Sequence, residues 1–389
     1  MPESAGFLIE PPLPPDVLAG IRAPFQAFGG SWVDAPVLQP LTQLLDLAGE
    51  AMRGRLFVVQ GEGAAEACLR PDFTIPVATA HLASHAAHAD DHGGRYLYEG
   101  KAFRSLAQSQ DRPVEFLQVG VEVYGAAADP ARQDAELAAL AWTAAKAGGR
   151  EDLGLVLGDV ALFGAFLSVL DLPQGVQDRL KRAFASGRSV KTELARSQAH
   201  PGPAAGGRLA ELLSGLPETE AADVLDELWK LAGIRPVGGR SPSEIAHRLS
   251  ARFEQADSPR LSPAEADIIT RYLDIVAPPK EALERIESLA YEAKIEFDIQ
   301  LQPWTHRLIA LTEAGVPEDA MIFSPGFMRP FGYYDGVLFE VRSLALGFEQ
   351  PVAAGGRYDG FLKRLGARQS GGAVGCMVRP GRAWNGSAA

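Results

Sequence analysis

Apolar residues at every second position, Leu117, Val119, Val121 and Val123, mark EFLQVGVEVYG (115–125) as a β-strand. Successive side chains of a strand point to opposite faces, so Leu117, Val119, Val121 and Val123 share a core face. Phe116, Gln118, Gly120, Glu122 and Tyr124 share the other. Strands are also predicted at IEFDIQL (295–301), which alternates throughout, and at YYDGVLFEV (333–341). Helical periodicity marks EALERIESLAYEA (281–293) and the Leu/Ala-rich stretches LAELLSGL and ADVLDELWKLAGI. The latter two lie in residues 151–275, which read as mostly helical beyond LGLVLGDV. Loops punctuate them at HPGPAAGG (200–207) and RPVGGRSPS (235–243). Mixed patterns before and after predict one domain, formed by 1–150 and 276–389, interrupted by a helical insertion at 151–275.

Composition narrows the classes. The chain has 389 residues and 47% hydrophobic content, enough for a sizeable core. Its net charge is −12 and it has no Lys/Arg run, which argues against nucleic acid as a partner. Cys68 and Cys376 are the two cysteines, without CxxC spacing, so neither a disulfide framework nor a zinc ribbon is indicated. The start lacks a basic, apolar leader and no stretch is long enough to span a bilayer, which predicts a cytoplasmic protein with no membrane partner.

The candidate chemistry clusters in two regions. Gln118 and Glu122 project from one strand face with Gly120 between them, and a glycine inside a strand often marks close approach of a ligand or another backbone. A carboxylate beside an amide suits a cationic or polar ligand. A solvated polar face is the plainer reading of this strand taken alone. Upstream, LRPDFTIPVA (69–78) places Asp72 and Thr74 at the entry to a helix, where they either cap it or receive an ammonium group. YEGKAFRS (98–105) delivers Arg104 at a strand end, and a guanidinium suits phosphate or carboxylate. HLASHAAHADDH puts His81, His85, His88 and His92 within roughly a 60° arc if helical. That is zinc-ligand spacing, although the Ala-rich segment also fits a solvent-facing helix end.

LRPDFT, EGKAFR, EFLQVGVEVYG, MRPFGYYDGVLFE and AAGGRYDGFLKRLG together resemble the histidyl-tRNA synthetases, in that family's order. SWVDAPVLQ (31–39) is similar to the first motif of class II synthetases, which forms dimers. The resemblance implies an α+β fold: a class II aminoacyl-tRNA synthetase-like antiparallel sheet flanked by helices. It also implies a homodimer formed through the 20–45 region, and a histidine pocket. Asp72 and Thr74 would bind the α-amino group, and Gln118 and Glu122 would contact the amino acid. Arg104, Arg329, Tyr333, Tyr334 and Tyr358 would complete the pocket around imidazole and carboxylate.

The departures from the synthetases carry as much information. Arg104 is followed by Ser105, Leu106 and Ala107, where the family places an ATP-holding Glu. Gly332 stands where an Asp is usual, and Arg379-Pro380-Gly381 precedes Arg382 in the third motif. Only seven residues follow Arg382, so no anticodon-binding domain is expected. This pattern, with Asp72 in place of the synthetases' Glu, resembles a paralogous family, the regulatory subunits of ATP phosphoribosyltransferase. The resemblance implies a non-catalytic protein without cofactors or resident metal. It would join a short-form catalytic subunit in a hetero-oligomer and transmit feedback inhibition by histidine. Two alternatives stay open: a truncated synthetase-like enzyme that forms histidyl-adenylate, using Arg104, Arg112, Arg329 and Arg382, and a metal-binding module at the histidine stripe.

Overall fold

The computed structural model describes residues 8–60, 66–85, 93–105, 112–185, 187–198, 261–329, 331–367 and 371–386, with a few positions between 220 and 228. The chain divides into two compact units. The larger comprises 1–170, 181–188 and 268–389, and the smaller 171–180 and 189–267.

In the larger unit the elements run α1 (Pro15–Phe28), β1 (Ser31–Trp32), β2 (Leu38–Pro40), α2 (Leu41–Ala48), β3 (Val58–Val59), β4 (Ala67–Leu69), α3 (Thr74–His85), β5 (Gly94–Phe103), β6 (Glu115–Tyr124), α4 (Pro130–Lys146), β7 (Leu153–Asp159) and α5 (Val160–Val169). After the helices Pro279–Glu292 and Asp298–Glu313 come β8 (Met321–Phe323), β9 (Val337–Ser343), β10 (Ala353–Arg357) and β11 (Ala373–Val378). These strands form one sheet in the order β1-β5-β6-β11-β10-β9-β7-β8. The central pairs are all antiparallel, and only the edges, β1 on β5 and β8 on β7, are parallel. A small second sheet, β2-β4-β3, carries the chain toward α3.

Both faces of the sheet are covered. Val119, Val121, Val374, Cys376, Val378, Ala353, Phe339 and Val341 form one buried face, against which the Ala-rich α4 packs. Each buried valine contributes about 1.5–2 kcal/mol of transfer free energy. Asp129 starts α4 by accepting from the Arg132 amide at 3.0 Å, and Pro130 fits its first turn. The opposite face carries Gln118, Glu122, Tyr98, Ala354 and Met377, and it too is buried. The solvated reading of the Gln118/Glu122 face is therefore overturned: α3, α2 and the 331–334 segment supply the rest of that core.

Two expectations need correction. The insertion does not begin at 151: β7 pairs with β9 along its whole length, from Leu153↔Ser343 to Asp159↔Val337, and belongs to the main sheet. Residues 295–301 are not a strand. Asp298–Glu313 is a helix that buries Leu301, Trp304 and Leu311, a 3–4 spacing that alternation over seven residues conceals. Trp304 Nε1 donates to Asp159 at 2.9 Å, and Asp159 also caps α5 through the Leu162 amide at 3.1 Å. In the smaller unit, Val190–Gln198 is helical, and the Leu261 amide donates to the Ser197 carbonyl at 3.3 Å.

Candidate functional site: a buried acid end and an arginine end

The turn that carries Asp72 and Thr74 is fixed by a residue the sequence reading passed over. Arg70 donates to the carbonyls of Ala35 and, at 2.9 Å, Lys101, and its guanidinium lies 4.0 Å over the Phe73 ring. Phe73 stacks on Tyr98 with centroids 4.6 Å apart, and Arg104 Nε donates to the Pro71 carbonyl at 3.0 Å. The start of α3 is thereby clamped to the end of β5. The only signal for Arg70 was its place inside LRPDFT.

Glu122 is the centre of the acid end. Its Oε1 accepts from Thr74 Oγ1 at 2.8 Å and, longer, from the Tyr98 hydroxyl at 3.5 Å. Its Oε2 accepts from the Tyr358 hydroxyl. Gly375 lies opposite Glu122 on β11, and a Cβ there would collide with the carboxylate. Gly120 makes the same kind of room: a side chain there would strike the Tyr98 hydroxyl and the Cys376 carbonyl. The close approach expected at Gly120 is thus made by Tyr98 and the neighbouring backbone. Burial raises Glu122 to about 8, against the opposing pull of the Tyr358 and Thr74 hydrogen bonds. Burial also raises Asp72, while Arg104, Arg329 and the Thr74 and Ile75 amides act in the other direction. Neither Asp72 oxygen has a hydrogen-bond partner of good geometry, nor does Gln118 Oε1. Gln118 Nε2 points at the Met377 sulfur, 3.6 Å away.

Arg329 closes one side. Its Nη1 donates to the Tyr334 hydroxyl at 3.1 Å and its Nε lies 3.2 Å from Glu340. Burial pulls its pKa down, but Tyr334, Glu340, Tyr333 and Asp72 outweigh this and hold it charged. The ring of Tyr333 contacts those of Tyr334 and Tyr358, with centroids 4.6 and 5.7 Å apart. Tyr358 is set by its neighbours: Arg357 pairs with Asp134 at 2.7 Å, and Asp335 accepts from the Asp359 and Gly360 amides. Eight predicted residues, Asp72, Thr74, Gln118, Glu122, Arg329, Tyr333, Tyr334 and Tyr358, are thus buried together.

Arg104 joins this group to a second one. Its guanidinium lies 5.2 Å from the Phe116 and Phe331 rings. Burial lowers it to about 10, with Asp72 opposing and Arg379 and Arg329 adding to the shift. Arg379 sits 3.7 Å over Phe116 and donates to Glu10 at 2.6 Å. Glu10 accepts from the Leu117 amide as well, at 3.1 Å. Arg382 donates to the Pro351 carbonyl at 3.0 Å, and burial, then Arg379 and Arg104, lower it to about 8. Pro380 occupies the first turn of the short helix Pro380–Ala383, which closes the third motif. Glu10 had no signal in the sequence pattern.

Of the histidine stripe, His81 is 2% exposed, and its Nδ1 is 2.8 Å from the Tyr96 hydroxyl. The solvent-facing reading therefore fails at this position. The side chain of His85, and His88 and His92, lie outside the described residues. Among the described residues, no helix is long and apolar enough to cross a membrane.

The fold and this site define a class: the chain belongs to the histidyl-tRNA synthetase family, whose pattern matches residues 16–239 and 243–380. Within it, the chain belongs with the ATP phosphoribosyltransferase regulatory subunits. It is 35% identical to the protein of that description from Brucella anthropi over 367 residues, 93% of this chain and 94% of that one. The Brucella canis counterpart is 34% identical with the same coverage. Among solved structures, the chain is similar to an ATP phosphoribosyltransferase regulatory subunit/histidyl-tRNA synthetase from Bacillus halodurans. The TM-score is 0.66 at 21% identity, covering 99% of this chain and 85% of that one. A histidyl-tRNA synthetase from Nostoc sp. PCC 7120 gives 0.59 at 15% identity, covering 96% and 72%. These neighbours identify the sheet as the class II synthetase-like fold expected from the motifs.

Proposed function

We propose that this chain is the non-catalytic regulatory subunit of an ATP phosphoribosyltransferase, and that it senses free histidine in the Glu122 pocket. The observation that carries this is the contrast within the site. Asp72, Gln118 and Glu122 lie buried beside Arg329, with opposite charges suited to a zwitterion. Gln118 Oε1 has no partner, and Asp72 is met only by poorly aligned Thr74 and Ile75 amides. A buried oxygen without a partner costs about 1–3 kcal/mol, which a bound ammonium would recover. At the other end Arg379 is already answered by Glu10, and Ser105 follows Arg104 where an ATP-holding acid stands in the synthetases.

The relatives' description supports a partner of the catalytic type. The partner in this reading is a short-form catalytic subunit, which binds ATP and the phosphoribosyl donor, while this chain holds no cofactor. Histidine bound here lowers the partner's activity. By linkage, the partner's substrates weaken histidine binding by the same factor. The homodimer of this reading uses the 20–45 region, where Trp32, Val37 and Leu38 are exposed. Light scattering of the isolated chain should report twice its mass; a monomer contradicts that part.

The test mixes this chain with a short-form phosphoribosyltransferase subunit and follows phosphoribosyl-ATP formation with and without histidine. The expected result is activity that depends on this chain and falls with histidine. The second reading, a histidyl-adenylate-forming enzyme, draws on the buried Arg104, Arg379 and Arg382. Pyrophosphate exchange with ATP and histidine by the chain alone would establish it and overturn the first.

A further inference from the structure

Behind the main sheet, on the α4 side, runs a buried line of charges of alternating sign. It starts at Arg357, the last residue of β10, whose chain neighbour Tyr358 donates to Glu122 on the pocket side. Arg357 Nε donates to Asp134 Oδ1 of α4 at 2.7 Å, and its Nη1 lies 3.0 Å from Asp359. Its Nη2 donates to Gln133 Oε1 at 2.8 Å. Gly336 leaves room for this side chain, since a Cβ there would come within 2.9 Å of it. The other oxygen of Asp134, Oδ2, accepts from Arg307 Nε at 2.9 Å. Arg307 belongs to the helix Asp298–Glu313, which packs along α4. Its guanidinium lies 5.1 Å from the Trp304 ring and within electrostatic reach of Asp159, which accepts from Trp304 Nε1. Asp134 is 2% exposed and Arg307 only 12%.

Stability alone is a poor account of this line. Ion pairs taken out of water recover their desolvation cost only in part, and apolar replacements are often neutral or better. What the line supplies is connection. Asp134 gives one oxygen to each guanidinium, so a shift of Arg357 alters the hold on Arg307. A ligand that engages Glu122 competes with the Tyr358 hydroxyl and so acts on the turn that Arg357 anchors. Building on the histidine-pocket reading, we propose that Arg307 is a positioning residue that couples this turn to the helix Asp298–Glu313, so that filling the pocket steadies a helix on the opposite side of the sheet. The link passes from Tyr358 along the chain to Arg357, then through Asp134 to Arg307. It joins two elements far apart in sequence by contacts that can be removed one at a time, which is the form in which coupling is measurable.

The experiment compares the full chain with Arg307→Met, which keeps an apolar stem beside Trp304 and removes the charge. Histidine affinity is measured by calorimetry, and amide hydrogen exchange in Asp298–Glu313 is followed with and without saturating histidine. In the unmodified chain histidine should slow exchange in this helix by about 5-fold or more, the scale of ordinary coupling between sites. In Arg307→Met the slowing in the helix should vanish, while that around Thr74 persists and affinity stays within about 2-fold, as for a change away from the ligand. A merely structural role would alter exchange equally with and without histidine. Arg307→Gln, which keeps a neutral donor toward Asp134, should reduce the slowing and serves if Arg307→Met does not fold. Arg307→Lys, which restores the charge, should bring it back. Undiminished slowing in the neutral variants, or none in the unmodified chain while it binds histidine, overturns the proposal and leaves the line of charges a matter of packing. Absence of histidine binding by the unmodified chain, with or without a catalytic partner, is a different result: it removes the histidine pocket itself, and the coupling with it.

Discussion

The acid end and the arginine end of the site lie on the same sheet and are buried to a similar depth, yet their electrostatics are handled in opposite ways. Around Glu122 the protein leaves Gln118 Oε1 without a partner and holds Asp72 only through poorly aligned Thr74 and Ile75 amides. Around Arg379 the chain supplies its own anion, Glu10, from a segment 369 residues away in sequence, while Arg379 Nε keeps no partner. In the proposed reading the acid end keeps its groups for a ligand, while the Glu10 pairing leaves the arginine end less for a phosphate. On that reading one function is lost and the other kept without a change of fold.

The largest expected effect tests the acid end without ligand. Glu122 titrates near 8 instead of its usual 4.5 because it is buried. Between these values the folded chain holds a proton that the unfolded chain has released. Stability is fully present below about pH 4.5 and falls as pH rises through 8, by on the order of 5 kcal/mol from this group. Denaturant melts across that range should show the decline, and Glu122→Gln should flatten it. A residual slope stays, since Asp72, Asp134 and Asp159 are also raised by burial. An identical slope in the variant would show that Glu122 is ionised in the folded protein.

The arginine end should respond to Glu10→Ala with a loss of about 3 kcal/mol in unfolding free energy, because a buried Arg379 is left uncompensated. A loss below about 0.5 kcal/mol, the scale of an ordinary surface change, would mean that the internal pairing does not matter and that the two ends are alike. Glu122→Ala should weaken histidine binding by about 30-fold, or about 2 kcal/mol, by leaving ligand donors unpaired. Calorimetry checks this, and undiminished binding would move the ligand away from Glu122. Gly120→Ala should cost about 1–3 kcal/mol of stability, since its Cβ must displace the Tyr98 hydroxyl or the Cys376 carbonyl. A neutral outcome there would mean that Tyr98 is free to move.

What the sequence disclosed and what it hid follow from the range of the interactions. The Gln118/Glu122 pair sits two strand periods apart on one element, so alternation alone placed both on one face. Arg329, Tyr333, Tyr334 and Tyr358 were reachable only through motif resemblance, because nothing local says that these loops converge. Tyr98 escaped notice although it faces Gly120 directly across the β5–β6 pairing, since register between strands is not written in either strand by itself. The β7–β9 pairing was hidden for the same reason, and with it the true reach of the sheet past residue 151. Residues 295–301 misled because a short apolar/polar alternation fits either period.

The pairing of Glu122 with Gly375 has a consequence for the order of events in synthesis. One wall of the pocket, β5 against β6, is assembled from neighbours in the chain. The other, β11 against β6, must wait for residues 373–378. A nascent chain that has yet to deliver that strand exposes one whole edge of β6 and holds Glu122 without its floor. Contacts of such long sequence separation form late. On the histidine-pocket reading, the ligand then reports only on finished molecules, and growing chains neither capture the signal nor compete for it.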